Sequence, residues 1–344
     1  MRKGQPLPWA APLFLSYRSD WESDLSNRSV SMDLQSFTRF EQKMQQSVGK
    51  VIVGKSEAVR QLVIALIAGG HVLLEDLPGT GKTMMLRAFS RSIGGTFRRI
   101  QCTPDLMPSD LTGINFYNQK EGRFEFRPGP LFANIVLADE INRATPRSQS
   151  ALLEVMEEKQ VSIDGASYPM QEPYLVMATE NPIEFAGTFP LPEAQMDRFL
   201  IRMSLGYMER EEEIQVLRRR DSRRIEEELT PVTTPEEIRA LNDAYREVSV
   251  SDDVAGYIMD LAAYTRDSRQ LRCGLSTRGT LALYRTSQIR AALSGRDYVI
   301  PEDVKAEAVY VLPHRLTVAS RATLTAESFV NTMLETVPVP LETL

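Results

Sequence analysis

Leu73-Leu74-Glu75-Asp76-Leu77-Pro78-Gly79-Thr80-Gly81-Lys82-Thr83 carries an apolar segment straight into a glycine-bearing loop that ends in Gly-Lys-Thr. Behind it, Met84, Met85, Leu86, Ala88, Phe89 and Ile93 recur with helical spacing. Strand, loop and helix in that order make an anion cradle. The glycines let backbone N–H groups converge, and the helix N-terminus adds partial positive charge. In such a loop Lys82 reaches the β- and γ-phosphates of a nucleotide, and the Thr83 hydroxyl ligates Mg²⁺. Asp76 stands where the strict pattern has Gly. The expected nucleotide contacts are Asp76, Leu77, Pro78, Gly79, Thr80, Gly81, Lys82, Thr83 and Met84.

The rest of the chain bounds the setting. Its 344 residues suit two domains, or one domain with tails. With 42% hydrophobic and 25% charged residues it reads as a globular protein with a sizeable core. A net charge of −6 argues against a broad nucleic-acid footprint. The only cysteines, Cys102 and Cys273, suit a reducing cytoplasm better than a disulfide framework, and His71 and His314 do not form a zinc pattern. No apolar run approaches membrane-spanning length. Leu7 to Leu15 is broken by Pro8 and Pro12 and is not read as a signal peptide. Residues 1–31 are expected to be a disordered extension, because Met32 opens a helical pattern with Phe37, Phe40 and Met44 on one face.

Five apolar runs predict strands: His71–Glu75, Thr96–Gln101, Ile135–Asp139, Tyr174–Thr179 and Leu200–Ser204. Helical patterns separate most of them, which predicts an α/β domain over 32–205 with a parallel five-stranded sheet flanked by helices. Two β-hairpins are inserted, one around Asn118–Gly122 and one over Val161–Met170. Glu209–Glu228 reads as a charge-laced solvated helix. Residues 206–344 as a whole read as an all-α domain, with helices starting near Pro235, Val254, Thr277 and Pro301.

Three further segments carry chemistry. Asn134-Ile135-Val136-Leu137-Ala138-Asp139-Glu140 is an apolar strand that ends in two carboxylates pointing to different sides. Asp139 suits a hydrated Mg²⁺, and Glu140 suits polarising a water aimed at the γ-phosphate. Asn181, after Met177-Ala178-Thr179-Glu180, either orients that water or is a turn residue before Pro182. Arg198 either reaches outward or forms a surface pair with Asp197.

These signals, in this order, resemble the AAA+ ATPases. Gly129-Pro130-Leu131-Phe132-Ala133-Asn134, Asp139-Glu140-Ile141-Asn142-Arg143-Ala144 and Gln149-Ser150-Ala151-Leu152-Leu153-Glu154-Val155-Met156-Glu157-Glu158 are similar to the MoxR family, a branch associated with metal-cofactor insertion and complex assembly. The resemblance runs from about Asp33 to the C-terminus and extends to Asp76 and the two hairpins. It implies that Asn181 is sensor 1 and that Arg198 is an arginine finger acting on ATP held by a neighbouring subunit. Arg278, in Leu275-Ser276-Thr277-Arg278-Gly279, would be sensor 2 on a helical lid, with Mg·ATP between the lid and the α/β domain. Ile52, Val53 and Gly54 would line the adenine pocket. The family usually has Pro at Thr277 and Gln at Glu180.

The implied activity is ATP hydrolysis with Mg²⁺ in a homo-oligomeric ring, expected to be a hexamer. The ring would act as a cytoplasmic chaperone-like remodelling factor beside a partner with a von Willebrand factor A domain. The client is unknown. The rival readings are a magnesium-chelatase-like motor subunit, a scaffold that binds ATP without hydrolysing it, and a DNA-remodelling motor. Glu140 and Arg198 disfavour the scaffold, and the acidic balance disfavours the DNA motor.

Overall fold

Runs that are apolar on both faces can only be sheltered inside a sheet covered on both sides, and the chain uses them that way. A computed structural model describes residues 33–77, 79–181, 187–218, 227–319 and 324–340. The expectations for 1–31, Pro78 and 219–226 lie outside the described residues. The five expected strands form one parallel sheet: β1 (Val72–Glu75), β2 (Phe97–Gln101), β5 (Ile135–Asp139), β8 (Leu175–Glu180) and β9 (Ile201–Met203), in the order β2-β5-β8-β1-β9. Every residue of β5 is buried. The register sets Gln101 opposite Asp139, Ala138 opposite Ala178, and Thr179 and Glu180 opposite Leu74 and Glu75. The carboxyl ends of four neighbouring strands therefore finish almost level.

Helices α1 (Leu34–Gly49), α2 (Ser56–Ala68), α3 (Lys82–Ser92) and α5 (Pro146–Glu158) belong to this half. Phe37, Phe40 and Met44 of α1 are fully buried, as the helical pattern from Met32 requires. Between β2 and β5, the one-turn α4 (Pro108–Thr112) leads into the hairpin β3 (Gly113–Asn118) and β4 (Arg123–Pro128). The second hairpin, β6 (Gln160–Ile163) and β7 (Ala166–Pro169), leans on the first. Phe126 stacks on Tyr168 at 4.3 Å, and Asn115 Nδ2 donates to Asp164 Oδ2 at 2.6 Å.

A short turn, α6 (Glu193–Met196), precedes β9, and α7 (Arg210–Arg218) follows it. The C-terminal half consists of α8 (Pro235–Ala244), α9 (Asp252–Asp267), α10 (Thr277–Leu293), α11 (Pro301–Val311) and α12 (Ala326–Thr336). Thr234, Ser251 and Ser276 cap α8, α9 and α10 through their hydroxyls. Two features depart from the expected helices alone: α12 itself, and a short antiparallel pair, β10 (Leu271–Cys273) with β11 (Thr317–Val318). The pair is too short for sequence alternation to reveal it.

The halves are joined by buried polar contacts. Arg290 of α10 lies 2.8 Å from Glu307 of α11 and 2.9 Å from Glu57 of α2, while Gln61 donates to Glu307 at 3.0 Å. Residues 34–344 form one compact unit.

His71, at the start of β1, is fully enclosed. Its Nε2 donates to the Met156 carbonyl at 2.9 Å, and its Nδ1 accepts the Val176 N–H at 3.0 Å. These bonds fix a neutral ring, and burial lowers its pKa to about 4. The unfolded chain thus binds a proton near pH 6.5 that the folded chain refuses, so His71 costs stability as pH falls from about 6.5 to 4. His71→Gln can copy both bonds without the titration. Denaturant unfolding across that window should show wild type losing roughly 3 kcal/mol relative to the variant. Parallel pH profiles would overturn this assignment.

Candidate nucleotide site

The loop after β1 turns into α3 through Gly79 and Gly81, at φ +84° and +88°. A side chain there would meet no other atom, so it is the left-handed backbone that demands glycine at both positions. The Lys82 amine folds back onto the carbonyls of Asp76, Leu77 (3.2 Å) and Glu180 (3.4 Å). Burial lowers its pKa, while Asp76, Asp139 and Glu140 push it back up. Both oxygens of the Asp76 carboxylate are taken by backbone N–H groups. Its Oδ1 accepts the Leu77 N–H at 2.8 Å, and its Oδ2 accepts the N–H groups of Leu205 (2.8 Å) and Gly206 (3.0 Å), tying the loop to the end of β9.

Asp139 is buried and faces Thr83, whose hydroxyl lies 3.3 and 3.4 Å from its two oxygens. A hydroxyl and a carboxylate are hard oxygen donors that fit Mg²⁺. Two more residues act on Asp139 that sequence reading did not single out. The Thr179 hydroxyl donates to Oδ1 at 2.7 Å, and Arg99 of β2 donates to Oδ2 at 2.6 Å. Their adjacency depends on strand order and register, which no local motif encodes.

Glu140 adopts the left-handed region at φ +58°, and its N–H donates to the Thr179 hydroxyl at 2.8 Å. Its Oε2 accepts from Gln101 Nε2 at 3.1 Å and from Arg143 Nη1 at 3.0 Å. Arg143 therefore braces Glu140 within its own subunit. Asn181 is buried at the end of β8, and Asn142 Nδ2 donates to its carbonyl at 3.1 Å. Burial and the facing Glu75 push Glu180 up to about 7, with Arg202 opposing. Burial raises the Cys102 thiol to about 12, which leaves it unreactive.

Ile52, Val53 and Gly54 line a cleft of about 300 Å³ together with Gln45, Lys55 and Gln215. A second cleft, of about 420 Å³, is lined by Gly79, Thr80, Tyr207, Met208 and Leu217. Helix α7 contributes to both. Gly54 adopts φ +72°, a left-handed setting that favours glycine, and the Glu212 carboxylate of α7 lies against it.

Arg198 and Arg278 are not at this edge of the sheet. They come together, both paired to Glu157 at the end of α5, with Arg198 Nε 3.1 Å from Glu157 Oε2. The cleft they share, about 450 Å³, is also lined by Gly70, His71, Lys159 and Arg285. It lies at the start of β1, whereas the phosphate loop begins at the end of that strand, about 13 Å further on at ~3.3 Å per residue. The structure thus sets Arg278 beside Arg198 rather than beside Lys82. Among the described residues no group of three or more His, Cys, Asp or Glu side chains is placed to hold a metal. No helix among them is long and apolar enough to cross a membrane.

Known proteins match this arrangement. Residues 71–201 match the family model for ATPases associated with various cellular activities (AAA), and residues 263–333 match the AAA lid domain. The uncharacterised protein YeaC of Bacillus subtilis is 46% identical over 303 residues, covering 87% of this chain and 95% of YeaC. Chaperone MoxR1 of Mycobacterium tuberculosis is 41% identical, with 85% and 80% covered, and protein MoxR of Methylorubrum extorquens is 32% identical, with 87% and 94% covered. A crystal structure of a candidate ATPase from Cytophaga hutchinsonii superposes with a TM-score of 0.82 at 37% identity, covering 89% of this chain and 98% of that one. Four strand ends finishing level around a glycine loop, followed by a lid and accompanied by relatives that match over most of their length, place the chain in the MoxR family of AAA+ ATPases.

Proposed function

We propose that this chain is a Mg·ATP-hydrolysing remodelling factor that works as a ring, a hexamer in our reading, in the cytoplasm. One observation carries the catalytic part: Lys82, Thr83, Asp139 and Glu140 meet at one end of the sheet, with Thr179 joining the last two. The glycine loop and Lys82 bind the triphosphate, and Ile52, Val53 and Gly54 take the adenine. Glu140, with Asn181, orients the attacking water after its carboxylate leaves Gln101 and Arg143. Thr83 and Asp139 would hold the magnesium ion, which when bound would neutralise charge on the phosphate oxygens.

The cleft holding Arg198 and Arg278 lies a full strand away from its own phosphate loop. Its basic side chains therefore suit a nucleotide bound by the adjacent subunit. In this reading 32–205 is the ATPase domain, 206–344 is the lid, and 1–31 is an extension. The first hairpin, with Tyr117 and Phe124 exposed, is suited to press on a client. The name of the relative, chaperone MoxR1, supports a chaperone role; that the role is complex maturation or metal-cofactor insertion beside a partner with a von Willebrand factor A domain is our reading. Copurification with a porphyrin-binding subunit would instead favour a magnesium-chelatase-like motor.

Calorimetry with Mg·ATP tests the cradle. Wild type should bind, and Lys82→Ala should weaken binding at least tenfold, because the ammonium beside the glycine loop, free to turn from its carbonyl partners to a phosphate, is lost. Equal affinity in the two proteins would remove Lys82 from the site.

A further inference from the structure

Arg315 is a buried cation that the mechanism above leaves unused. Its side chain is 2% exposed, and an arginine so enclosed must find partners for its whole guanidinium fork. Three of its five partners come from one short segment; the other two, the Val311 carbonyl and His314 Nε2 (2.6 Å), belong to its own helix end. Nε donates to Asp197 Oδ1 at 2.8 Å, Nη2 to the Phe199 carbonyl at 2.7 Å and Nη1 to the Leu200 carbonyl at 3.1 Å. The neighbouring His314 places Nε2 2.9 Å from the same Phe199 carbonyl. The other Asp197 oxygen accepts from the hydroxyl of Ser276, the cap of α10 two residues before Arg278, at 3.3 Å.

The segment so gripped, Asp197 to Leu200, contains Arg198. It joins the four-residue α6 to the three-residue β9, so its own secondary structure does little to hold it. A planar fork bonded to one carboxylate and two carbonyls fixes both the position and the orientation of that loop. The fork belongs to the turn after α11, in the lid half of the chain.

We infer that Arg315 is the positioning residue for the arginine finger: it presets the loop that carries Arg198, so that one subunit's lid governs chemistry in the next. This rests on the reading of Arg198 as a finger acting across subunits. A misplacement of about 1 Å in a catalytic group costs roughly 100-fold in rate, so a loosened loop is a kinetic lesion in the neighbour's site. It leaves the subunit's own binding of ATP intact.

The test uses the full chain and two variants. Arg315→Lys keeps the charge and loses the fork, and Asp197→Asn keeps the fork and loses its charged partner. Each is expected to bind Mg·ATP and assemble like wild type while kcat falls 10- to 100-fold at unchanged KM. Each is then mixed with an excess of Glu140→Gln subunits, which cannot hydrolyse but carry an intact Arg315 and Arg198. Turnover per Arg315→Lys subunit should rise with the Glu140→Gln fraction, alongside a control series using Arg198→Ala. Three results overturn the inference: unchanged kcat; recovery of Arg198→Ala without recovery of Arg315→Lys, which confines the effect to its own subunit; or loss of nucleotide binding and assembly in both variants, which makes Arg315 a lid staple only. If Arg198→Ala itself never recovers, the cross-subunit reading fails first and this inference falls with it.

Discussion

Glu140→Gln keeps the affinity for Mg·ATP and loses about 10²- to 10⁴-fold in turnover, the range expected when a positioned general base is removed. The substitution is nearly isosteric. The backbone of residue 140 stays anchored through its N–H to Thr179, and a glutamine oxygen can still accept from Gln101 and Arg143. The left-handed φ of +58° is a strained setting for a non-glycine residue, and the backbone bond to Thr179 that anchors it does not involve the carboxylate. Lys82 and the glycine loop, which would grip the phosphates, do not touch the substituted atom. What disappears is an oxygen basic enough to take a proton from water. Phosphate release measured beside equilibrium nucleotide binding separates the two effects, and unaltered release would remove Glu140 from the reaction. The same variant, locked with ATP, should retain its client in a pulldown.

The parts of this protein that sequence reading reaches are those specified by short stretches of chain. The five strands of the main sheet are found within a residue or two; a fully buried strand such as Ile135–Asp139 needs an unbroken apolar run, while the edge strand Phe97–Gln101 buries only Ile100. The hairpins are found because alternating residues flank turn formers at Asn118–Gly122 and Asp164–Gly165. Helix α12 is legible from its Thr325 cap but is not among the helix starts singled out, whereas the pair β10–β11 escapes because three and two residues hold no pattern. At the site, Lys82, Thr83, Asp139 and Glu140 are legible from motif spacing. Arg99 and Thr179 are not, since each meets Asp139 from a different strand and only sheet order brings them there. The meeting of Arg278 with Arg198 is more remote still. It depends on how α10 docks at the end of α5, where the single carboxylate of Glu157 receives both.

That docking bears on the size of the effect expected at Arg198. Arg198→Ala should lower turnover by about 10³- to 10⁵-fold, the range for removing an arginine finger, while leaving Mg·ATP affinity within a few-fold. The finger and the phosphate loop of one chain sit at opposite ends of β1, so no side-chain rotation in a monomer brings them together. An Arg198→Ala subunit therefore has an intact nucleotide site and spoils its neighbour's, whereas a Glu140→Gln subunit spoils its own and still lends a finger. Rings mixed from the two variants, each inactive alone, should regain activity at sites where a good pocket meets a good finger. Regain should follow the fraction of such junctions as the mixing ratio is varied. Glu157 adds a second readout. It neutralises Arg198 at rest, so Glu157→Gln frees the guanidinium without removing it, and that variant should retain turnover where Arg198→Ala does not. Mixed rings confirmed by mass that stay inactive at every ratio would show that Arg198 serves no neighbouring nucleotide.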